Sequence, residues 1–321
     1  MTAGSRPLVV ILGASGFIGS ALTRALARRP VRLRVVARRN TPVPADAVAG
    51  IEVRTADLAS AGAVADAVAG ADAVAHLVAH TDAGWRVTEG DTAAERVNVG
   101  LVRDLVEAVR EGRCRPRPAV LFPSTITHPS GETGPGQVQS PYVRQKLRAE
   151  EMLTAATSEG VLRGVPVCLP TVFGHGPGTT APDRGVVATM TRRALAGEGL
   201  TMWGDGSVRR DLLYIDDVVD ALLAALDHAD TMAGRHWSLG TGVGVPLSTL
   251  FADIAAAVAE HTGRPAVPVE SVEPPASADP ADSEDVVVDS SPFRAATGWQ
   301  PRVPLREALR RTVTSLASEA R

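Results

Sequence analysis

The stretch LVVILGASGFIGSALTRALARRP, Leu8 to Pro30, decides the fold. The apolar run Leu8–Leu12 leads into glycines at 13, 16 and 19, and a helical pattern follows. An uninterrupted apolar run suits a strand covered on both faces, as in a parallel sheet, and a strand, a glycine turn and a helix together open a βαβ unit. Gly13-x-x-Gly16-x-x-Gly19 can bring backbone close to a pyrophosphate at a helix N-terminus, where free N–H groups and the helix dipole favour anions. Two residues separate the first two glycines, where the general dinucleotide fingerprint has one.

Outward from this unit, a second strand is expected from Val31. Further apolar runs follow at Ile51–Val53, Ala73–Val78 and Ala119–Phe122, separated by helix-length segments at Ala61–Ala69 and Ala93–Glu111. The alternation predicts an α/β fold built on a doubly wound parallel sheet. The segment VCLPTVFGHGP, 167–177, reads as another central strand. Residues 1–174 are therefore expected to form the nucleotide-binding domain. Residues 175–321 are expected to form mainly a smaller C-terminal lobe that binds substrate, with later strands returning to the sheet. The Pro- and acid-rich 270–285 reads as an exposed loop.

An acid at the end of the second strand would bind a ribose 2′-hydroxyl. Arg38 and Arg39 stand there instead, and a cationic fork suits a 2′-phosphate, so the expected cofactor is NADPH/NADP+. Asp57 and Leu58, after the third strand, are expected at the adenine pocket, although an N-cap role for Asp57 stays open.

Composition narrows the class. A net charge of −3, with 45% hydrophobic and 21% charged residues, gives no reason to expect nucleic acid or an acidic membrane as partner. The N-terminal residues show no signal-peptide pattern and no segment is long enough to span a bilayer, so a cytoplasmic protein is expected. Cys114 and Cys168 read as buried or incidental thiols, and no metal is expected. Among 33 Lys and Arg residues only Lys146 is a lysine, and Tyr142 is one of two tyrosines. Their spacing puts both on one helix face. A compact ammonium beside a phenol stabilises the phenolate, which makes tyrosine a better proton donor and acceptor near neutral pH.

These motifs together resemble the extended short-chain dehydrogenase/reductase superfamily: GASGFIG, AHLVA at 75–79, Asn98-Val99, FPSTIT at 122–127, Tyr142-x-x-x-Lys146, PTVFGHGP at 170–177 and RRDLLYIDDV at 209–218. The resemblance implies a Rossmann-like fold. It implies Tyr142 as catalytic acid, Lys146 as the residue that holds the nicotinamide ribose and lowers the tyrosine pKa, and Thr125, or Ser124 beside it, as the hydrogen-bond donor to the substrate oxygen. It further implies cofactor contacts from Gly13, Ser15, Gly16, Phe17, Ile18, Gly19, Leu77, Ala79, Asn98, Pro170 and Val172. Arg210 matches an arginine that grips a sugar-nucleotide diphosphate. His128, Trp203 and Trp85 are candidates for the sugar pocket, with core or surface packing as the alternative for each.

Related dehydratases carry Asp-Glu directly after the catalytic threonine, where this chain has Ile126-Thr127. More narrowly, the chain resembles reductases of dTDP-4-keto-6-deoxyhexoses in antibiotic deoxysugar biosynthesis, which implies a dTDP-linked keto-deoxysugar as substrate. A nucleotide-sugar epimerase, a carbonyl reductase of another small ketone and a non-catalytic NADP-sensing regulator are the alternatives. A homodimer is left open.

Overall fold

The computed structural model describes residues 6–80, 87–126, 140–174, 181, 183–275, 278 and 280–319. In chain order the first part runs β1 (Leu8–Leu12), α1 (Phe17–Ala27), β2 (Arg32–Ala37), β3 (Gly50–Thr55), α2 (Ala63–Val68), β4 (Ala73–His76), α3 (Thr92–Glu95), α4 (Leu101–Arg110), β5 (Ala119–Thr125), α5 (Pro141–Ser158) and β6 (Arg163–Leu169). The second part runs β7 (Thr171–Phe173), α6 (Val186–Leu195), β8 (Leu200–Trp203), β9 (Arg209–Tyr214), α7 (Ile215–Asp227), α8 (Ala229–Met232), β10 (Trp237–Ser238), β11 (Gly244–Pro246), α9 (Leu247–Thr262), β12 (Val269–Val272), α10 (Ser291–Thr297) and α11 (Leu305–Glu319).

Seven parallel strands form the main sheet in the order β10-β6-β5-β4-β1-β2-β3. Successive residues of a strand point to opposite faces, and β1 shows what this does for packing. Val9 and Ile11 join Leu22 and Leu26 of α1, Leu222 of α7 and Phe293 of α10 on one side. Leu8, Val10 and Leu12 join Val68 of α2, Leu105 of α4 and Leu153 of α5 on the other. Both faces are buried, as the unbroken apolar run of β1 requires. This is the doubly wound, Rossmann-like architecture expected from the sequence. A third cluster, with Phe173, Leu212, Leu250, Ile254 and Leu309, holds the later helices against the small sheet β11-β9-β7.

Two segments differ from their sequence reading. The described part of the run 167–177, residues 167–174, is divided between two sheets: β6 ends at Leu169, and β7 pairs with β9 instead. Pro170 stands at the break and has no N–H to continue a ladder. The helix expected over Ala93–Glu111 is interrupted by one π-helical turn at Arg96–Gly100, which carries Asn98. The described residues of 270–285 include the end of β12 and a short 3-10 turn at Pro280–Ser283.

Candidate active site

The sheet order reverses between β1 and β4, so the chain leaves these neighbours in opposite directions and opens a crevice at their carboxyl ends. The glycine turn lies there. Gly13 has φ +88°, and a Cβ on it would stand 2.9 Å from the Leu77 carbonyl carbon; a Cβ on Gly19 would stand 2.1 Å from the Gly13 carbonyl oxygen. These positions therefore admit only glycine. Gly16 caps α1 without a side-chain hydrogen bond, which leaves the first N–H groups of the helix to face an anion. A pyrophosphate fits this turn. Phe17 and Ile18 are half-buried and pack into the core, so their part in holding such a group is through backbone. Ser15 is half-buried in the same turn.

The other expected cofactor positions follow strand ends. Arg38 and Arg39 directly follow β2, are exposed, and carry no ion pair or hydrogen bond among the described residues. The Leu77 N–H donates to Leu12 (2.8 Å), and Ala79 follows two residues on. Leu58 is buried, and the Asp57 carboxylate accepts from Ala59 N–H (3.0 Å), closing a turn of its own. Pro170 and Val172 bracket the passage from the main sheet to the small one.

Serine, proline and spacing explain α5. Ser140 caps it, accepting from Val143 N–H, and Pro141 occupies the first turn. Tyr142 and Lys146 then lie one turn apart. Lys146 is 4% exposed, its Nζ lies 3.8 Å from the centre of the Phe122 ring, and burial pulls its ammonium down to about 8. Tyr142 departs from expectation. Burial pushes its phenol up to about 12, so desolvation, not the lysine charge, sets the direction.

Gln145, His80, Glu150 and His236, which the sequence did not single out, complete the cluster with residues that it did. Asn98 Nδ2 donates to Gln145 Oε1 (2.8 Å) and to the His80 carbonyl, while its Oδ1 accepts from His80 N–H. The π-turn is thereby fastened to α5 beside Lys146. Ser124 Oγ donates to Glu150 Oε2 (2.8 Å), which engages its hydroxyl inside the sheet–helix interface. Thr125 is the next residue, and strand alternation turns it away from Glu150. The other Glu150 oxygen meets His236 Nδ1 (2.5 Å), and Cys168 Sγ lies against the His236 ring, 3.2 Å from Nε2 and 3.7 Å from Nδ1. Ligand-type atoms of Glu150, Cys168 and His236 lie within 4.8 Å of one another. Burial pushes the Cys168 thiol far up. Both cysteines are free thiols.

His76, at the end of β4, packs edge-on to Phe122 and is fully buried with neither ring nitrogen hydrogen-bonded. Burial, with Lys146 nearby, pulls it down to about 4 and keeps it neutral. A spacing of four residues from Lys146 to Glu150 was readable as one helix face. Nothing local to His236 announces its role.

Of the expected substrate residues, Arg210 and Trp203 are described. Arg210, on β9, donates through Nη1 to the Arg209 and Glu284 carbonyls and through Nη2 to the Asp282 carbonyl (2.7 Å). The adjacent Asp211 is not its ion partner. That buried carboxylate accepts from the N–H groups of Thr241, Gly242 and Val288. Trp203 ends β8 and is 39% exposed. His128, Trp85 and Thr127 lie outside the described residues. No described helix is long and apolar enough to cross a membrane.

Comparison with known proteins agrees with this geometry. The model of the NAD dependent epimerase/dehydratase family matches residues 9–240. A UDP-glucose 4-epimerase of Mycolicibacterium smegmatis is 31% identical over 68% of this chain, and the match spans 64% of that protein's length. A dTDP-6-deoxy-L-talose 4-dehydrogenase (NAD(P)(+)) of Kitasatospora kifunensis is 26% identical over 96% of this chain and 95% of its own. Among solved structures, MoeE5 in complex with UDP-glucose and NAD superposes with a TM-score of 0.77 at 26% identity, covering 98% of this chain and 100% of that one. A glycine turn at a switch point, a tyrosine–lysine helix and this match over most of the sheet lead to one conclusion: the chain belongs to the NAD dependent epimerase/dehydratase family.

Proposed function

We propose that the protein reduces the 4-keto group of a dTDP-4-keto-6-deoxyhexose, using NADPH. The observation that carries this reading is the pair Arg38 and Arg39 at the end of β2, exposed and without an ion pair among the described residues. A cationic fork there suits a 2′-phosphate and has no use for a bare ribose hydroxyl. Ile126-Thr127 in place of two carboxylates disfavours elimination, and the dehydrogenase relative from K. kifunensis bears NAD(P)(+) and a deoxysugar in its name.

The glycine turn, Arg38 and Arg39 would hold the dinucleotide, with Asp57, Leu58, Leu77, Ala79, Asn98, Pro170 and Val172 beside it. When bound, the reduced nicotinamide supplies a hydride. Tyr142 gives its phenolic proton to the carbonyl oxygen of the sugar, and Thr125 donates a hydrogen bond to the charge developing there. Lys146 offsets the phenolate that remains. Arg210 can grip a diphosphate only by exchanging carbonyls of the 282–284 segment for phosphate oxygens.

Incubation with NADPH and a panel of dTDP-keto-sugars tests the reading. NADPH oxidation with a gain of two hydrogens on the sugar nucleotide is the expected result. A second reading, epimerisation with retained NAD, draws on the M. smegmatis relative and on NAD in the MoeE5 complex. An unchanged mass with inverted configuration is its signature.

A further inference from the structure

Three parts of the chain bring a carboxylate, a thiol and an imidazole to one place. Cys168 of β6 is paired with Ser124 of β5 on one side and with Ser238 of β10 on the other, so these side chains leave the sheet on the same face. His236 stands two residues before Ser238, and the same alternation brings its ring to that face. α5 supplies Glu150, one oxygen of which accepts from Ser124 Oγ at 2.8 Å. The other oxygen lies 2.5 Å from His236 Nδ1, and Cys168 Sγ lies 3.7 Å from that nitrogen. Among the described residues, no other group of three or more His, Cys, Asp and Glu side chains converges in this way.

The spacing is close to that around a tetrahedral ion. With Zn–S near ~2.3 Å and Zn–N and Zn–O near ~2.1 Å, tetrahedral angles set nitrogen and sulfur about 3.6 Å apart and nitrogen and oxygen about 3.4 Å apart. The nitrogen–sulfur separation already matches. The nitrogen–oxygen separation of 2.5 Å has to open by about 0.9 Å. The residue able to give is His236, whose side chain is 49% exposed, whereas Glu150 is 7% and Cys168 1% exposed. That exposure also gives an ion its way in and leaves a fourth position to water. Ser124 holds the carboxylate oxygen that does not bind, as the outer partner of a ligating carboxylate does.

Charge decides whether such a site is tolerable beside Lys146, which precedes Glu150 by one turn of α5. A divalent ion, one thiolate and one carboxylate sum to zero. Binding releases the thiol proton to solvent, and the charge of the ion then holds the sulfur as thiolate, reversing what burial does to the free thiol. Sulfur, nitrogen and oxygen together select a borderline ion such as Zn2+ over Mg2+ or Ca2+, which take oxygen ligands.

We propose that Glu150, Cys168 and His236 form a binding site for a zinc-class divalent ion, which fastens α5, β6 and the start of β10 to one another one helical turn from Lys146. The role is structural, and it is independent of the sugar and the dinucleotide that the protein uses.

The test uses the untagged full chain, stripped with a chelator and titrated with Co2+ under nitrogen without thiol reductants. Cys114→Ser leaves Cys168 as the sole thiol of the chain. In this background a thiolate-to-cobalt charge-transfer band is expected in the near ultraviolet, saturating at one Co2+ per chain and displaced by Zn2+. With Cys114 retained, Cys168→Ser should abolish the band. His236→Ala and Glu150→Gln should each weaken Co2+ binding at least about a hundredfold, and Ser124→Ala, which removes the outer partner, by about ten- to a hundredfold. Absence of the band in Cys114→Ser means a hydrogen-bonded chain only and overturns the proposal. A band that survives Cys168→Ser, or an unchanged affinity in His236→Ala, overturns it too. If Cys168→Ser or Glu150→Gln does not fold, Cys114→Ser and His236→Ala still decide, since one changes a residue outside the site and the other an exposed ring.

Discussion

Tyr142→Phe removes the proton that the proposed reduction requires, and should cut turnover at least about a hundredfold while leaving NADPH binding near normal, measured by steady-state kinetics and cofactor titration. Lys146→Arg should also be damaging, because a planar fork does not fit the buried space over the Phe122 ring. With the Lys146 ammonium pulled down to about 8, its charge is present below that pH and lost above it, so turnover should fall as pH rises through about 8. His76 makes a separate, structural prediction. Its folded pKa is lowered from 6.5 to about 4, so the unfolded chain takes up a proton over a window in which the folded protein does not. Stability is then lost as pH falls through that window, by a ceiling of roughly 3 kcal/mol. His76→Leu should flatten this loss in denaturant melts compared at pH 7 and pH 5. At this scale the sequence announced the tyrosine–lysine pair through scarcity and spacing. It could not show that burial drives the phenol upward, nor that Ser124 is engaged by Glu150, because both follow from packing between segments far apart in the chain.

The glycine turn, β1 and α1 were legible together, since an apolar run, three glycines and a helical pattern each point to one local structure and agree. The second strand was equally plain, and its terminal arginines give the test that belongs here. Arg38→Asp should weaken NADPH use by about ten- to a hundredfold, the loss of a charge-assisted contact of ~1.5–3 kcal/mol, and NAD-linked activity should suffer less. Equal losses with both cofactors would remove Arg38 from the 2′-phosphate. Pro170 was visible, but its consequence was not: the chain changes sheets there, and only the partner strands β5 and β9 define which sheet each half joins. The π-turn at Arg96–Gly100 has no signature in propensity, since its reason is the side chain of Asn98 reaching Gln145 and His80. Arg210 belongs to this scale too. Arg210→Ala should raise the KM for the sugar nucleotide far more than it changes NADPH affinity if the arginine serves a diphosphate. A lowered melting temperature with an unchanged KM would instead mark it as a tie for the 282–284 segment.

The whole molecule is less divisible than its sequence suggests. Alternating strands and helices correctly announced a doubly wound sheet, and residues beyond 174 contribute to it and to its cover. β10 completes one edge, α7 packs on α1, and Phe293 and Trp299 share a cluster with Val9 and Ile11. Connections of this length leave no local trace, because apolar periodicity reports which face is buried and not against what. A fragment of residues 1–174 should therefore lack a cooperative thermal transition when followed by circular dichroism, whereas the full chain should show one. The two-residue strand Trp237–Ser238 also has a consequence for biosynthesis. While the chain emerges from the ribosome, the edge of β6 has formed its sequence but not met its cover, and it presents a bare row of peptide groups until Ser238 arrives. Slowed translation between Leu169 and Trp237 should prolong that interval and raise the yield of aggregate without altering the native protein that does form.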